Sequence, residues 1–201
     1  TDKTGNYDEQ IAELQTKLDA IDLRSEEAYD FEETDKVIER GLGLGADIMF
    51  RFGASQNDII DNTFPTVGTD EWTTYVNNLG IIAEQIVKHY QQGWADGFEN
   101  ALTYFEIWNE ADLLDFWPNT LNSGAQAYYE MYDVVGKAAK NVDPDLPVGG
   151  PTITTHNDDR GLEYGFLDYV KANGSPLDFG SFHYYPSVNA DPYDYARWAN
   201  M

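Results

Sequence analysis

Hydrophobic positions recur along this chain in two rhythms, one with the spacing of helices and one with the compactness of buried strands. Ile11, Leu14, Leu18 and Ile21 fall at helical intervals within residues 7–21, with charged residues between them. After a polar stretch over residues 22–27, Thr34 is placed to cap a second helix. Val37, Ile38, Leu42 and Leu44 form its apolar face, and Gly43 and Gly45 stand near its end. Residues 46–52 (ADIMFRF) are a short apolar run that predicts a strand, followed by Gly53-Ala54-Ser55 and a polar loop with Pro65 and Gly68. The cycle then repeats. Residues 71–90 read as a helix carrying Trp72, Leu79, Ile82, Ile86 and His89, and residues 101–109 as a strand. Residues 124–139, capped by Ser123, present Tyr128, Met131, Val134 and Val135 at helical spacing. The turn Asp143-Pro144-Asp145 leads to a short strand at 146–150. A helix over 161–172, closed by Asn173-Gly174, precedes a last strand over 177–184.

Strands and helices in strict alternation call for a parallel sheet with covering helices, an α/β fold. Two architectures fit that alternation, an open doubly wound sheet and a closed (β/α)8 TIM barrel. A nucleotide-binding doubly wound sheet carries a glycine-rich phosphate loop between its first strand and the next helix. Gly41-Leu42-Gly43-Leu44-Gly45 instead ends a helix and precedes a strand, the wrong order for that use. Polar residues collect at the C-terminal ends of several strands: Arg51, then Asn109-Glu110, then His183 with Tyr184-Tyr185. That end is where a barrel of this kind keeps its active site.

The charge balance narrows the partners. With 36 Asp plus Glu against 12 Lys plus Arg, the formal net charge is −24. Such a chain repels nucleic-acid phosphates and anionic membranes, so neither is an expected partner. Two readings of the excess stay open, an ordinary soluble acidic enzyme and adaptation to high salt, where carboxylates stay hydrated and their repulsion is screened. The preference for Asp (22) over Glu (14) and the scarcity of Lys (7) lean to the second. An unfolding curve unchanged between low and molar salt would remove that reading. The compartment stays open between the extracellular medium and the cytoplasm of a salt-adapted organism. The absence of cysteine excludes disulfides and thiolate metal sites. His156 with Asn157, Asp158 and Asp159 reads as a solvated loop, and no metal or cofactor is expected.

The chemistry concentrates in Tyr104-Phe105-Glu106-Ile107-Trp108-Asn109-Glu110, an apolar run ending in an amide and a carboxylate. Phe116 and Trp117 follow closely. Sugars carry hydroxyls on their edges and C–H groups on their faces, so carboxylates beside aromatic rings point to carbohydrate chemistry. Glu106 shares strand parity with Glu110 but lies deeper, and it reads as a buried, hydrogen-bonded structural carboxylate. Trp108 reads as core and His89 as structural, while Trp117 reads equally as core or as a sugar platform.

Glu106-Ile107-Trp108-Asn109-Glu110, Phe116-Trp117, Asp143-Pro144 leading to Val148-Gly149-Gly150-Pro151, and Leu177-Asp178-Phe179 with Ser181-Phe182-His183-Tyr184-Tyr185-Pro186 together resemble glycoside hydrolase family 39. Upstream, Ala28-Tyr29-Asp30-Phe31, Thr34-Asp35 and Phe50-Arg51-Phe52-Gly53 extend the resemblance to most of the chain. That family contains β-xylosidases and α-L-iduronidases and belongs to a clan of retaining barrel glycosidases. The resemblance implies that Glu110 is the general acid/base at the end of the fourth barrel strand. It implies that Asn109 holds the sugar 2-hydroxyl, that His183 and Tyr185 line the subsite, and that Phe116 and Trp117 form an aromatic wall. Arg51 would hold substrate through its planar fork.

A full barrel takes about 250 residues and eight strands. This chain of 201 residues is therefore expected to be a partial catalytic barrel, covering roughly the third to sixth strands with their helices and lacking the first and last. The attacking glutamate implied by the resemblance belongs on a seventh strand, beyond His183. Residues 187–201 contain no glutamate, and Asp191 and Asp194 match no motif there. Open barrel edges would invite association with another chain. A second reading is a non-catalytic carbohydrate-binding or structural relative that keeps the aromatic wall without turnover.

Overall fold

The computed structural model describes residues 20–53, 65–113, 116–117, 124–154 and 162–183, together with residues 7, 10, 12, 13 and 16. Most of the first helix expected from the sequence lies outside the described residues, as do Ser123, His156, Tyr184 and Tyr185. Four strands, β1 (Met49–Phe52), β2 (Tyr104–Ile107), β3 (Val148–Ile153) and β4 (Phe179–Phe182), form one sheet in sequential order β1-β2-β3-β4, every neighbour parallel. Helices α1 (Glu32–Gly43), α2 (Asp70–Gln92), α3 (Gly124–Val142) and α4 (Leu162–Asn173) alternate with them. Sequential order without a reversal is barrel topology, since a doubly wound sheet switches direction partway.

The side chains agree with the topology. On one face Phe50 packs against Tyr90 of α2 and against Phe105, and Tyr128 of α3 donates to the Ile107 carbonyl. On the other face Tyr104 meets Phe179 edge-on at 5.6 Å, with no helix between them. By strand parity Arg51 and Glu106 share that second face. The described helices thus cover one face and leave the other to the polar site, as the wall of a barrel does.

Burial follows the apolar spacing. Phe105, Ile107 and Val148 of the strands, Val87 and Tyr90 of α2, Tyr128, Met131, Tyr132 and Val135 of α3, and Phe166 of α4 are sealed from solvent. Helices α2 and α3 approach closely because Gly80 presents no side chain to Val134, whose Cγ1 would lie 2.8 Å from a β-carbon there. Thr69 caps α2 by accepting from the Trp72 amide, and Gly93, at φ 71°, ends it.

Helix α1 departs from the sequence expectation. It begins at Glu32, not at Thr34, and the carboxylate of Asp30 accepts from the Glu32 amide at 3.1 Å. Val37, Leu42 and Leu44 are exposed and only Ile38 is buried, so aliphatic packing does not hold it. The anchor is aromatic and polar. The buried His89 ring stacks on Phe31 at 3.7 Å, while its Nε2 lies 3.0 Å from Asp35 and its Nδ1 lies 2.8 Å from the Trp94 carbonyl. Tyr90 donates to the same Asp35 oxygen.

Asp178 closes the entry to β3 and β4. Its carboxylate accepts from the Val148 amide at 2.8 Å and meets Lys140 Nζ at 2.7 Å. Burial pushes the Asp178 carboxyl up, but the Lys140 hydrogen bond, the Val148 amide and the Lys140 charge outweigh it and hold the group below its usual range. A lowered carboxyl adds stability above its unfolded pKa and loses it as pH falls through the folded one. Asp178→Asn is therefore expected to cost about 1 kcal/mol near neutral pH, a modest figure because the side chain is partly exposed. The difference from wild type should shrink at about pH 3, below the unfolded value. Thermal unfolding at both pH values checks it, and an equal cost at both would contradict the linkage.

Candidate active site

The site grows from the C-terminal ends of β2, β3 and β4. β2 does not stop cleanly at Ile107. The Trp108 amide still bonds the Phe52 carbonyl at 2.6 Å, and the Glu110 amide bonds the Thr152 carbonyl at 2.8 Å. Between these anchors the chain adopts left-handed backbone at Trp108 (φ 72°) and Glu110 (φ 46°). Neither is glycine, and Thr152 opposite them (φ 52°) is β-branched, so each carries a cost on the order of 1–3 kcal/mol. Strain of this kind persists only where surrounding contacts hold it. Gly53, at φ 138°, supplies part of that hold: a β-carbon there would lie 2.7 Å from the Trp108 ring, so only glycine lets β1 end against it. The Trp108 indole donates to the Phe116 carbonyl at 2.8 Å.

These contacts place two polar pairs side by side. Asn109 is buried, and its side-chain oxygen accepts from Arg51 Nη1 at 2.6 Å. Glu110 is buried, and its Oε1 lies 2.6 Å from Nδ1 of His183. For an ionised carboxylate Nδ1 is the donor, which fixes the imidazole's orientation. His183 follows β4 directly and its amide bonds the Ile153 carbonyl at 2.7 Å. Arg51, Asn109-Glu110 and His183, named from three separate points of the sequence, thus meet in one cluster. Tyr185 lies outside the described residues.

The aromatic wall is corrected in part. Trp117 is only 1% exposed, wedged edge-on between Trp108 at 5.1 Å and Tyr128 at 5.9 Å. Its ring belongs to the core, packed between Trp108 and Tyr128 rather than over the site. A sugar cannot stack on it there. Phe116 is half-buried and contributes its carbonyl to Trp108. Glu106 is buried as expected, on the strand beside Arg51 and Gly149. Its expected hydrogen bonds are not found among the described residues.

Sequence reading missed Asp112, Thr152, Thr154 and Ser181. Thr152 and Ser181 share a hydrogen bond of 3.0 Å between their hydroxyls, and Asp112 is bound by Thr154. Nothing local marks Asp112 out from the nearby Asp115, since its partner stands 42 residues away. Burial holds the Tyr128 phenol well above its usual range, so it stays protonated and keeps donating to the Ile107 carbonyl beneath the site. Among the described residues no three His, Asp or Glu side chains are grouped to hold a metal ion, and no helix is long and apolar enough to cross a membrane.

Comparison with known proteins converges on one group. Residues 60–195 match the family model for glycosyl hydrolases family 39. A β-xylosidase from Geobacillus stearothermophilus is 30% identical over 178 residues, 83% of this chain and 32% of that protein. A β-xylosidase from Caldicellulosiruptor saccharolyticus is 32% identical over 127 residues, 63% of this chain and 23% of that protein. Among solved structures, a glucosidase from Croceicoccus marinus superimposes with a TM-score of 0.68 at 33% identity, over 81% of this chain and 31% of that one. The chain spans about a third or less of the length of the curated relatives it matches.

Proposed function

This chain belongs to glycosyl hydrolases family 39, and from that premise we propose that it carries the acid/base side of a retaining glycosidase acting on β-linked xylose or a related sugar. The observation that carries the reading is Glu110, a buried carboxyl at a strand end with one oxygen held by His183 at 2.6 Å. In a retaining mechanism one carboxyl protonates the departing oxygen while a second attacks the anomeric carbon, the two about 5–5.5 Å apart. The first then removes a proton from the water that releases the sugar. With Oε1 occupied by His183, the other oxygen of Glu110 carries the transferred proton. The Asn109 carbonyl oxygen accepts from Arg51, which leaves its amide nitrogen as the donor for a sugar hydroxyl. The four strands stand for the third to sixth of the barrel, and the attacking carboxylate is assigned to none of the 201 residues.

The sugar is inferred from the two β-xylosidase relatives. The test is hydrolysis of a panel of aryl β-glycosides by the intact protein, with the first-formed product followed by proton NMR. A β-anomer released from an aryl β-xyloside is expected. An α-anomer would exclude retention, and saturable sugar binding without turnover would favour a non-catalytic relative.

A further inference from the structure

One buried carboxylate that this mechanism leaves unused is Asp112. It is 3% exposed and stands two residues beyond Glu110, in the turn that runs away from the site. A buried carboxylate is costly unless donors surround it, and among the described residues Thr154 supplies them. The Thr154 amide lies 3.1 Å and 3.0 Å from its two oxygens, and the Thr154 hydroxyl donates to Oδ2 at 2.5 Å. Thr154 is the residue immediately after β3. The end of β3 therefore binds three things in succession: Thr152 holds the amide of Glu110, Ile153 holds the amide of His183, and Thr154 holds the carboxylate of Asp112.

The Glu110 turn has left-handed backbone and no glycine between residues 108 and 112, so it does not rest at its own local minimum. Its near end is held by the Trp108–Phe52 and Glu110–Thr152 backbone bonds. Its far end is held by Asp112 on Thr154. We propose that Asp112, through Thr154, is a positioning residue that clamps the turn and fixes the direction in which the Glu110 carboxyl is presented. The proposal rests on Glu110 being the acid/base. Asp112 touches neither sugar nor leaving group, so its effect passes through Glu110.

A mispositioned acid hurts most where the leaving group most needs a proton. Asp112→Asn in the intact protein is expected to lower kcat/KM roughly tenfold to a hundredfold on an alkyl or phenyl glycoside, the range of a misplacement by a fraction of an ångström to about 1 Å. The same variant should change much less on a dinitrophenyl glycoside, whose leaving group departs without protonation. KM should be nearly unchanged, and Thr154→Ser, which keeps both donors, should behave as wild type. A merely structural Asp112 would lower all substrates equally, and that uniform loss would overturn the proposal. If Asp112→Asn fails to fold, Thr154→Val removes only the hydroxyl donor and is expected to steepen the leaving-group dependence in the same direction; an unchanged dependence would count against the clamp. Glu110→Gln belongs in the same panel. Full activity in that variant would overturn the acid/base reading itself, independently of Asp112.

Discussion

Glu110→Gln is expected to reduce kcat/KM on glycosides with poor leaving groups by about 10²–10⁴-fold, the span of general acid/base catalysis. The substitution keeps the shape of the side chain and an oxygen for His183 Nδ1 at its 2.6 Å position, so the fold and the sugar pocket are conserved. What disappears is the transferable proton. Substrates with activated leaving groups should retain formation of the covalent intermediate and then stall, because its release needs the same group as a base. A burst of aglycone followed by a slow steady rate is the kinetic signature to look for. Wild-type turnover on a poor leaving group would exclude Glu110 from the role.

Trp117→Ala is expected to lower the stability of the protein by about 3–5 kcal/mol, the range for truncating a buried aromatic side chain. The indole fills the space between Trp108 and Tyr128, both of which lose an edge-on partner when it is removed. Trp108 is one of the left-handed residues leading into Glu110, so the cavity opens directly beneath the site. Denaturant unfolding of the variant measures the loss. A ring that stacks on sugar would behave oppositely, with stability near wild type and a raised KM.

Trp117 also shows where sequence reading succeeds and where it stops. The strand ending in Asn109-Glu110 was legible because an apolar run terminating in an amide and an acid has few structural uses, and the Glu106–Glu110 run with its downstream motifs resembles one family closely. Parallel pairing followed from the alternation of elements. The direction of the chain leaving Glu110 is not legible, because it is set by φ values at Trp108 and Glu110 that no glycine announces. An aromatic residue a few positions from an acid can lie over the pocket or in the core, and here it is in the core. β3 was expected to end at Gly150 yet runs to Ile153 through Pro151. Buried on both sides, with a register shift between Pro151 and Ile153, it has little local pattern to mark its end. Helix α1 overlaps the predicted segment but is not held by the apolar face its spacing suggests; Phe31 and Asp35 are anchored instead by His89 and Tyr90, far away in sequence.

The end of β3 has one more consequence. Glu110 and His183 are not fixed to each other alone; each hangs from a neighbouring carbonyl of the same short segment, Thr152 and Ile153. Any swaying of the sheet that carries this segment moves both groups in step, so their separation is insulated from breathing of the scaffold. A change in length within residues 151–154 has no such protection. A single inserted residue there would put the two hooks out of phase and part the pair, while comparable insertions in the outer loops, far from those carbonyls, would pass unnoticed.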